Sequence, residues 1–232
     1  MIITIDGPVA TGKSTIAKKL AYELGFIYFD TGAMYRSVAY GLLKEHINLD
    51  DVDAVNNYLA RFNFNIKVKH GQRYYCVDGE DVTDLIRGPE VTSIVSKVSA
   101  LESVRNKLVA IQRDLALGVN AVFEGRDIGS VVFPNAEIKI FLGGNTKIRA
   151  ERRYKELKEK YPQKYKDLTL EKTIEEISKR DEYDSNRQLS PLIQAPDAYY
   201  IDTSDLTAEE VVIKILEYKD TKPYLGKKTI IS

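Results

Sequence analysis

Gly7-Pro8-Val9-Ala10-Thr11-Gly12-Lys13-Ser14 is a complete G-x-x-x-x-G-K-[ST] phosphate-binding loop, and its flanks decide the fold. Upstream, Met1–Asp6 (Met-Ile-Ile-Thr-Ile-Asp) is a short apolar, β-branched run that reads as a buried strand. Downstream, Ile16, Ala17, Leu20 and Leu24 recur at helical spacing, and Gly25 stands where a helix would stop. Strand, glycine loop and helix form the context in which this motif is credible. With average composition, the four specified positions would match by chance in a chain of this length about 1% of the time. Backbone amides across residues 8 to 14 are expected to ring a β-phosphate, backed by the helix N-terminus. Lys13 is expected to reach the β- and γ-phosphates and Ser14 to ligate Mg²⁺.

The chain has 232 residues, enough for one large core or one core with an inserted lobe. Its 34 basic residues balance 34 acidic ones, so no global field favours a nucleic acid polymer or a membrane. A small-molecule substrate fits better. The first residues read as a strand and not as a signal peptide, and no apolar run approaches a bilayer span of roughly 18 residues. Cys76 is the only cysteine, consistent with a reducing cytosol, and it reads as a small buried hydrophobe. His46 and His70 stand apart from any metal-binding partner and read as solvated loop histidines.

Further along, Phe26–Asp30 predicts a second strand and residues 33–45 a helix with Met34, Val38, Leu42 and Leu43 on one face. Between Asn48 and about Thr92 the grammar changes. A polar helix precedes the alternating run Phe64–Lys69, then His70-Gly71, Tyr74–Val77 and an Asp78-Gly79 turn. That pattern is antiparallel and local, and it predicts a small inserted β-rich lobe at about 60–90. Helix resumes over 90–117. Strands follow at Ala121–Phe123 and Ile138–Leu142, then a charged helix over 145–166 broken at Pro162, and a helix over 170–183. Ala198–Asp202 is a last strand, followed by a helix over 208–218 and a loosely held tail from Lys222. Short apolar strands alternating with helices predict an α/β P-loop fold. It has three layers, a central parallel sheet flanked by helices.

Four more clusters carry chemistry. Asp30-Thr-Gly-Ala-Met-Tyr-Arg36 follows the second strand, where open α/β sheets bind ligands. Glu124-Gly-Arg-Asp-Ile-Gly129 packs charge tightly between glycines, a backbone expected to be shaped around a ligand; a salt-bridged turn is the plainer alternative. The stretch from Gly144 to Lys166 holds nine Lys or Arg against three Glu. Lys155, Lys158 and Lys160 read as a solvated face. Arg149, Arg152 and Arg153 stand within one and a half turns, where guanidinium forks suit phosphoryl oxygens. Arg180-Asp-Glu-Tyr-Asp-Ser-Asn-Arg187 is the fourth, again with a structural alternative. At least four arginines directed at one phosphate-binding crevice favour two phosphorylated ligands over one. Phosphoryl transfer between two such molecules is the expected chemistry.

Taken together, these segments closely resemble the bacterial cytidylate kinase family, in order from about Ile2 to Tyr218. Gly-Arg-Asp-Ile-Gly and Asp-Thr-Gly-Ala-Met-Tyr-Arg are the specific parts of that resemblance, with Thr31 and Glu124 as conservative variations. The resemblance implies one P-loop kinase domain over 1–232, with the lobe at about 60–90 extending the monophosphate-binding region. Residues from about 144 to 166 would be a helical lid closing on ATP. It implies ATP binding by Gly7, Pro8, Val9, Ala10, Thr11, Gly12, Lys13, Ser14 and Thr15, with Arg149, Arg152 and Arg153 from the lid. Mg²⁺ would accompany ATP on Ser14. CMP or dCMP would be bound through Thr31 and by Arg36, Arg126 and Arg187 at the 5′-phosphate. Ser96, Arg105 and Asp127 would read the cytosine, and Arg180 and Asp184 the ribose. Lys13, Arg126 and Arg187 would be the catalytic charges. A cytoplasmic monomer is expected.

Two other readings stay open on the residues alone. A P-loop kinase for a small hydroxylated acid such as shikimate would not need a base-reading set beside three phosphate-binding arginines. A non-catalytic guanine-nucleotide switch would need an Asn-Lys-x-Asp segment, and Asn145-Thr-Lys fails that pattern.

Overall fold

The computed structural model describes residues 1–69 and 72–222. His70, Gly71 and the tail beyond Lys222 lie outside them, and with them the expectations of a loop histidine and a loosely held tail. In chain order the elements open with β1 (Ile2–Asp6), α1 (Lys13–Leu24), β2 (Ile27–Asp30), α2 (Thr31–Lys44) and α3 (Val52–Arg61). Strands β3 (Phe64–Lys69), β4 (Gln72–Val77) and β5 (Glu80–Asp81) follow, then α4 (Pro89–Ala100) and α5 (Glu102–Leu115). The remainder is β6 (Ala121–Gly125), β7 (Ile138–Gly143), α6 (Thr146–Lys160), α7 (Leu170–Asn186), β8 (Tyr199–Asp202) and α8 (Ala208–Thr221).

The chain divides into two compact units. The first takes Met1–Phe29, Gly118–Ser185 and the chain from Leu192, and carries the five-stranded parallel sheet in the order β2-β6-β1-β7-β8. β1 is central, paired in parallel with β6 on one side and β7 on the other. Its period of two sorts its residues. Ile3 and Ile5 join Ile16, Ala17 and Leu20 of α1, Ile140 and Leu142 of β7, and Val211 and Ile215 of α8 in one buried core. Thr4 and Asp6 are buried on the opposite face. There the segment after β6 crosses β1 as a one-turn π-helix, Ile128–Val132.

The second unit, Asp30–Leu117 with Asn186–Pro191, holds the three-stranded antiparallel sheet β3-β4-β5 among helices. Lys67 pairs with Tyr74 and Phe64 with Val77, the register that strict alternation predicts. Phe62, Phe64 and Tyr75 stack in series at 6.2 and 6.3 Å. Cys76 is buried, as read from its neighbours.

Several boundaries differ from the sequence reading for identifiable reasons. α2 begins two residues early, at Thr31, because the Asp30 carboxylate accepts the Ala33 N–H at 2.9 Å and caps it. The helix expected over 90–117 is two, α4 and α5, separated at Leu101 in an extended conformation (φ −70°, ψ 124°). Neither proline nor glycine marks this break. The Arg105 guanidinium reaches back to the Ser99 carbonyl at 3.0 Å, satisfying an acceptor that the end of α4 leaves open. α6 ends at Lys160, one residue before the Tyr161-Pro162 step.

Candidate active site

The phosphate-binding loop leaves β1 through Gly7 at φ 148°, where a Cβ would lie 2.2 Å from the Leu142 carbonyl oxygen. No side chain fits beside β7 at that point. Ala10 and Gly12 also take left-handed conformations, at φ 61° and 85°. Such turns line up successive amides as an anion-binding concavity, and Gly12 passes directly into α1. Lys13 is buried and lies along its own loop, its ammonium donating to the Pro8 carbonyl at 2.5 Å and to Thr11 Oγ1 at 3.3 Å. Burial and then the nearby Arg126 pull its pKa well below the usual lysine value, against the opposing pull of Glu124, Asp181 and Asp6. Ser14 and Thr15 are exposed on the first turn of α1.

Val9, at the tip of the loop, is gripped on both polar groups. Its N–H donates to Asp181 Oδ1 on α7 at 3.1 Å, and its carbonyl accepts from Arg149 Nη1 on α6 at 2.8 Å. Arg149 closes the arrangement by donating to Asp181 Oδ2 at 2.6 Å and to the Gly144 carbonyl at 2.9 Å. Arg152 points elsewhere, onto the carbonyls of Thr203 and Ser204 at 2.7 and 2.9 Å. Arg153 pairs with Glu156 at 2.9 Å near the surface. The three arginines of α6 therefore have three different tasks in this conformation.

On the other face of β1 lies Asp6. Its carboxylate accepts the Ile128 N–H at 2.8 Å and the Gly129 N–H at 2.7 Å. Burial pushes its pKa up to about 7, with those two N–H bonds opposing, Asp127 adding repulsion and Lys13 attraction. The glycine-flanked segment expected to be shaped around a ligand thus has two of its amides around a side chain of this protein. Arg126, partly exposed, donates from Nε to Asp184 Oδ2 at 3.0 Å. Asp127 and Asp184 are both buried, and Glu124 accepts from the Tyr28 hydroxyl at 2.9 Å. Arg126, Asp127 and Asp184, chosen from the sequence, come together in the first unit with Lys13 near them.

The second unit gathers another set. Arg105 is buried, donating from Nε to Ser190 Oγ at 3.0 Å as well as to the Ser99 carbonyl. Arg187 approaches the same two serines, bonding the Ser190 carbonyl at 2.6 Å and Ser99 Oγ at 3.5 Å. Arg36 donates to Thr92 Oγ1 at 2.9 Å. Thr31 is buried at the start of α2, and the carbonyl of Ser96, half-buried on α4, accepts from the Ser99 hydroxyl at 2.9 Å.

The sequence reading missed Asp6, Asp181, Ser99 and Ser190. Asp6 had a usable signal: a carboxylate closing an otherwise apolar central strand must find donors. Asp181 adjoins Arg180 in a cluster already singled out. The two serines carry no pattern, since only the tertiary fold brings them to the arginines. Among the described residues, no cluster of three His, Cys, Asp or Glu side chains forms a metal cage.

The cytidylate kinase family model matches residues 3–221. A cytidylate kinase from Protochlamydia amoebophila is 68% identical over 221 residues, covering 95% of this chain and 97% of that protein. One from Ligilactobacillus salivarius is 48% identical over 92% of this chain and 94% of its own. A crystal structure of an uncharacterized protein from Eubacterium ventriosum superposes with a TM-score of 0.50. It is 15% identical and covers 95% of this chain and 98% of its own, a likeness of fold alone.

Proposed function

The chain belongs to the cytidylate kinase family, and from that premise we infer how its residues divide the work of an ATP:CMP phosphotransferase. It is a nucleoside monophosphate kinase, and the carrying observation is the match of the family model over residues 3–221. The loop of the first unit and the arginine–serine set of the second supply the chemistry that such a reaction needs.

In this reading the loop amides, Lys13 and the exposed Ser14 and Thr15 hydroxyls hold the ATP phosphates. Mg²⁺ on Ser14 would neutralise phosphate charge when bound. Arg36, Arg126 and Arg187 hold the acceptor's 5′-phosphate, so like charges can approach in line. An oxygen of that phosphate attacks the γ-phosphorus, the bond from γ-phosphorus to the β–γ bridging oxygen breaks, and ADP leaves. The attacking oxygen is already anionic at neutral pH, so no general base is required. Catalysis rests on positioning and on Lys13, Arg126 and Arg187 opposing the developing charge. Arg149, Arg152 and Arg153 would turn to ATP as residues 144–166 close.

Base choice follows from hydrogen-bond polarity. Cytosine presents acceptors at N3 and O2 and a donor at N4. Arg105 suits the first two, and Asp127 with Ser96 suits the amine. Arg180 and Asp184 take the ribose of CMP or dCMP. The reading extends to a cytoplasmic monomer. Among the described residues, no helix is long and apolar enough to cross a membrane.

A coupled assay of ADP release across CMP, dCMP, UMP, AMP and shikimate tests this reading. CMP and dCMP are expected to give the highest kcat/KM. A preference for shikimate or for AMP would overturn it.

A further inference from the structure

Asp6 stands at the junction of two pieces of the site. It closes β1 one residue before the phosphate-binding loop, and its side chain points away from the loop's own core toward the segment carrying Arg126 and Asp127. The amides it accepts, from Ile128 and Gly129, open the π-helical turn Ile128–Val132 and so lack partners within that turn. One carboxylate satisfies both. At the other end of the same peptide run, the Asp127 carbonyl accepts the N–H groups of Val131 at 2.9 Å and Val132 at 3.2 Å. Asp127 is thereby held from both sides at φ −141°, ψ 25°.

The approach is close as well as bonded. A Cβ on Gly129 would lie 2.7 Å from Thr4 Oγ1 and 3.3 Å from Asp6 Oδ2. Thr4, Asp6 and the absent side chain at 129 together set the separation of the turn from β1. The backbone of Asp6, by contrast, needs no help from its side chain. It is in register with Gly125 on one side and Phe141 on the other, and this double ladder anchors the root of the phosphate-binding loop.

We propose that Asp6 is a positioning residue for acceptor recognition: its carboxylate fixes the turn that presents Arg126 and Asp127 at the end of β6. It touches no substrate and acts through those two residues. The inference rests on their reading as CMP-binding groups. It separates two kinds of damage. Loss of the carboxylate misplaces Asp127 and Arg126, while the strand ladder keeps the ATP-binding loop in place. A role in stability alone would weaken the handling of both substrates together.

The test is steady-state kinetics of D6N and of G129A beside the wild-type protein, with thermal unfolding as a check on folding. The carboxamide of D6N retains one acceptor but sets an amide donor against the second N–H. The added methyl group of G129A pushes the same turn away from an intact Asp6. Both variants are expected to raise KM for CMP roughly tenfold or more and to shrink the CMP:UMP ratio of kcat/KM by a similar factor. KM for ATP should stay within about threefold of wild type. Equal rises in the two KM values, or an unchanged CMP:UMP ratio in either folded variant, would overturn the role of Asp6. If D6N does not fold, G129A with wild-type CMP constants overturns it as well. Wild-type protein that releases no ADP with CMP defeats the kinase reading itself, an outcome distinct from any pattern among the variants.

Discussion

Arg149 and Asp181 meet at 2.6 Å, and between them they hold the N–H and the carbonyl of Val9 at the tip of the phosphate-binding loop. The ion pair joins α6 to α7 and is largely buried, with side-chain exposures of 5% and 18%. Its Arg149 comes from the helix that closes in the proposed reaction. The contact therefore ties Arg149 to the loop in this conformation, through its Nη1.

Asp181→Ala should destabilise the fold by about 3 kcal/mol, because it leaves a buried guanidinium without its partner charge. Adding Arg149→Met should recover much of that loss, since the stranded charge is then gone. Chemical denaturation of the two single variants and the double variant measures the coupling. Strictly additive losses would show that the pair is not energetically joined.

Lys13→Ala should lower kcat by on the order of 10² to 10³, the usual cost of removing one preorganised charge from a developing one. Folding should suffer little, because a buried ammonium with its pKa pulled down by burial and by Arg126 is not a source of stability. Near-normal turnover in a folded Lys13→Ala protein would remove Lys13 from the mechanism.

The sheet and the loop were legible because their signals are local. The apolar run of β1, the glycines at 7 and 12, and the alternation in β3 each dictate conformation within a few residues. The site was legible only as far as single side chains carry chemistry. The charged cluster at 124–129 stands out between its glycines and its resemblance supplies roles for Arg126 and Asp127. Nothing local, however, announces that Asp6, 123 residues before Gly129, accepts two amides of the turn beside them. The same applies to the break at Leu101, where Arg105 reaches a carbonyl of the previous helix. Long-range polar contacts of this kind have no periodicity to read.

If residues 144–166 form a lid, trypsin should cut there readily in the free protein, at lysines such as Lys155 and Lys164. A saturating bisubstrate analogue linking adenosine and cytidine through phosphates should slow that cleavage roughly tenfold or more. Cleavage at the same rate with and without the analogue would leave this stretch a solvated helix.

Asp6 also makes a pH prediction. Burial holds its pKa at about 7 in the folded protein, against 3.8 for an ordinary aspartate. Between those values the folded protein keeps a proton that the unfolded chain has lost. Stability from this group is therefore full below about pH 4 and is lost as pH rises through about 7. A shift of that size corresponds to roughly 4 kcal/mol. The carboxamide of D6N does not titrate, so the stability of wild type minus that of D6N should fall by up to this amount between about pH 4 and pH 8. A difference that stays flat over that range would mean Asp6 is ionised throughout.

Asp127→Ala tests the identity of the acceptor base. Asp127 is buried, and its neighbour Arg126 donates to Asp184. In the proposed reading Asp127 serves the base and Arg126 the phosphate. Removing the carboxylate should leave the cytosine N4 amine without an acceptor while Arg36, Arg126 and Arg187 remain. An unpaired buried polar group costs about 1 to 3 kcal/mol, so kcat/KM for CMP should fall roughly tenfold to a hundredfold. UMP presents a carbonyl where CMP has its amine, and in the proposed reading that carbonyl would face a repelling carboxylate. UMP should therefore lose much less or even gain. The measurement is the CMP:UMP ratio of kcat/KM before and after the change. Equal falls for both substrates would place Asp127 in folding or phosphate handling and remove it from base recognition.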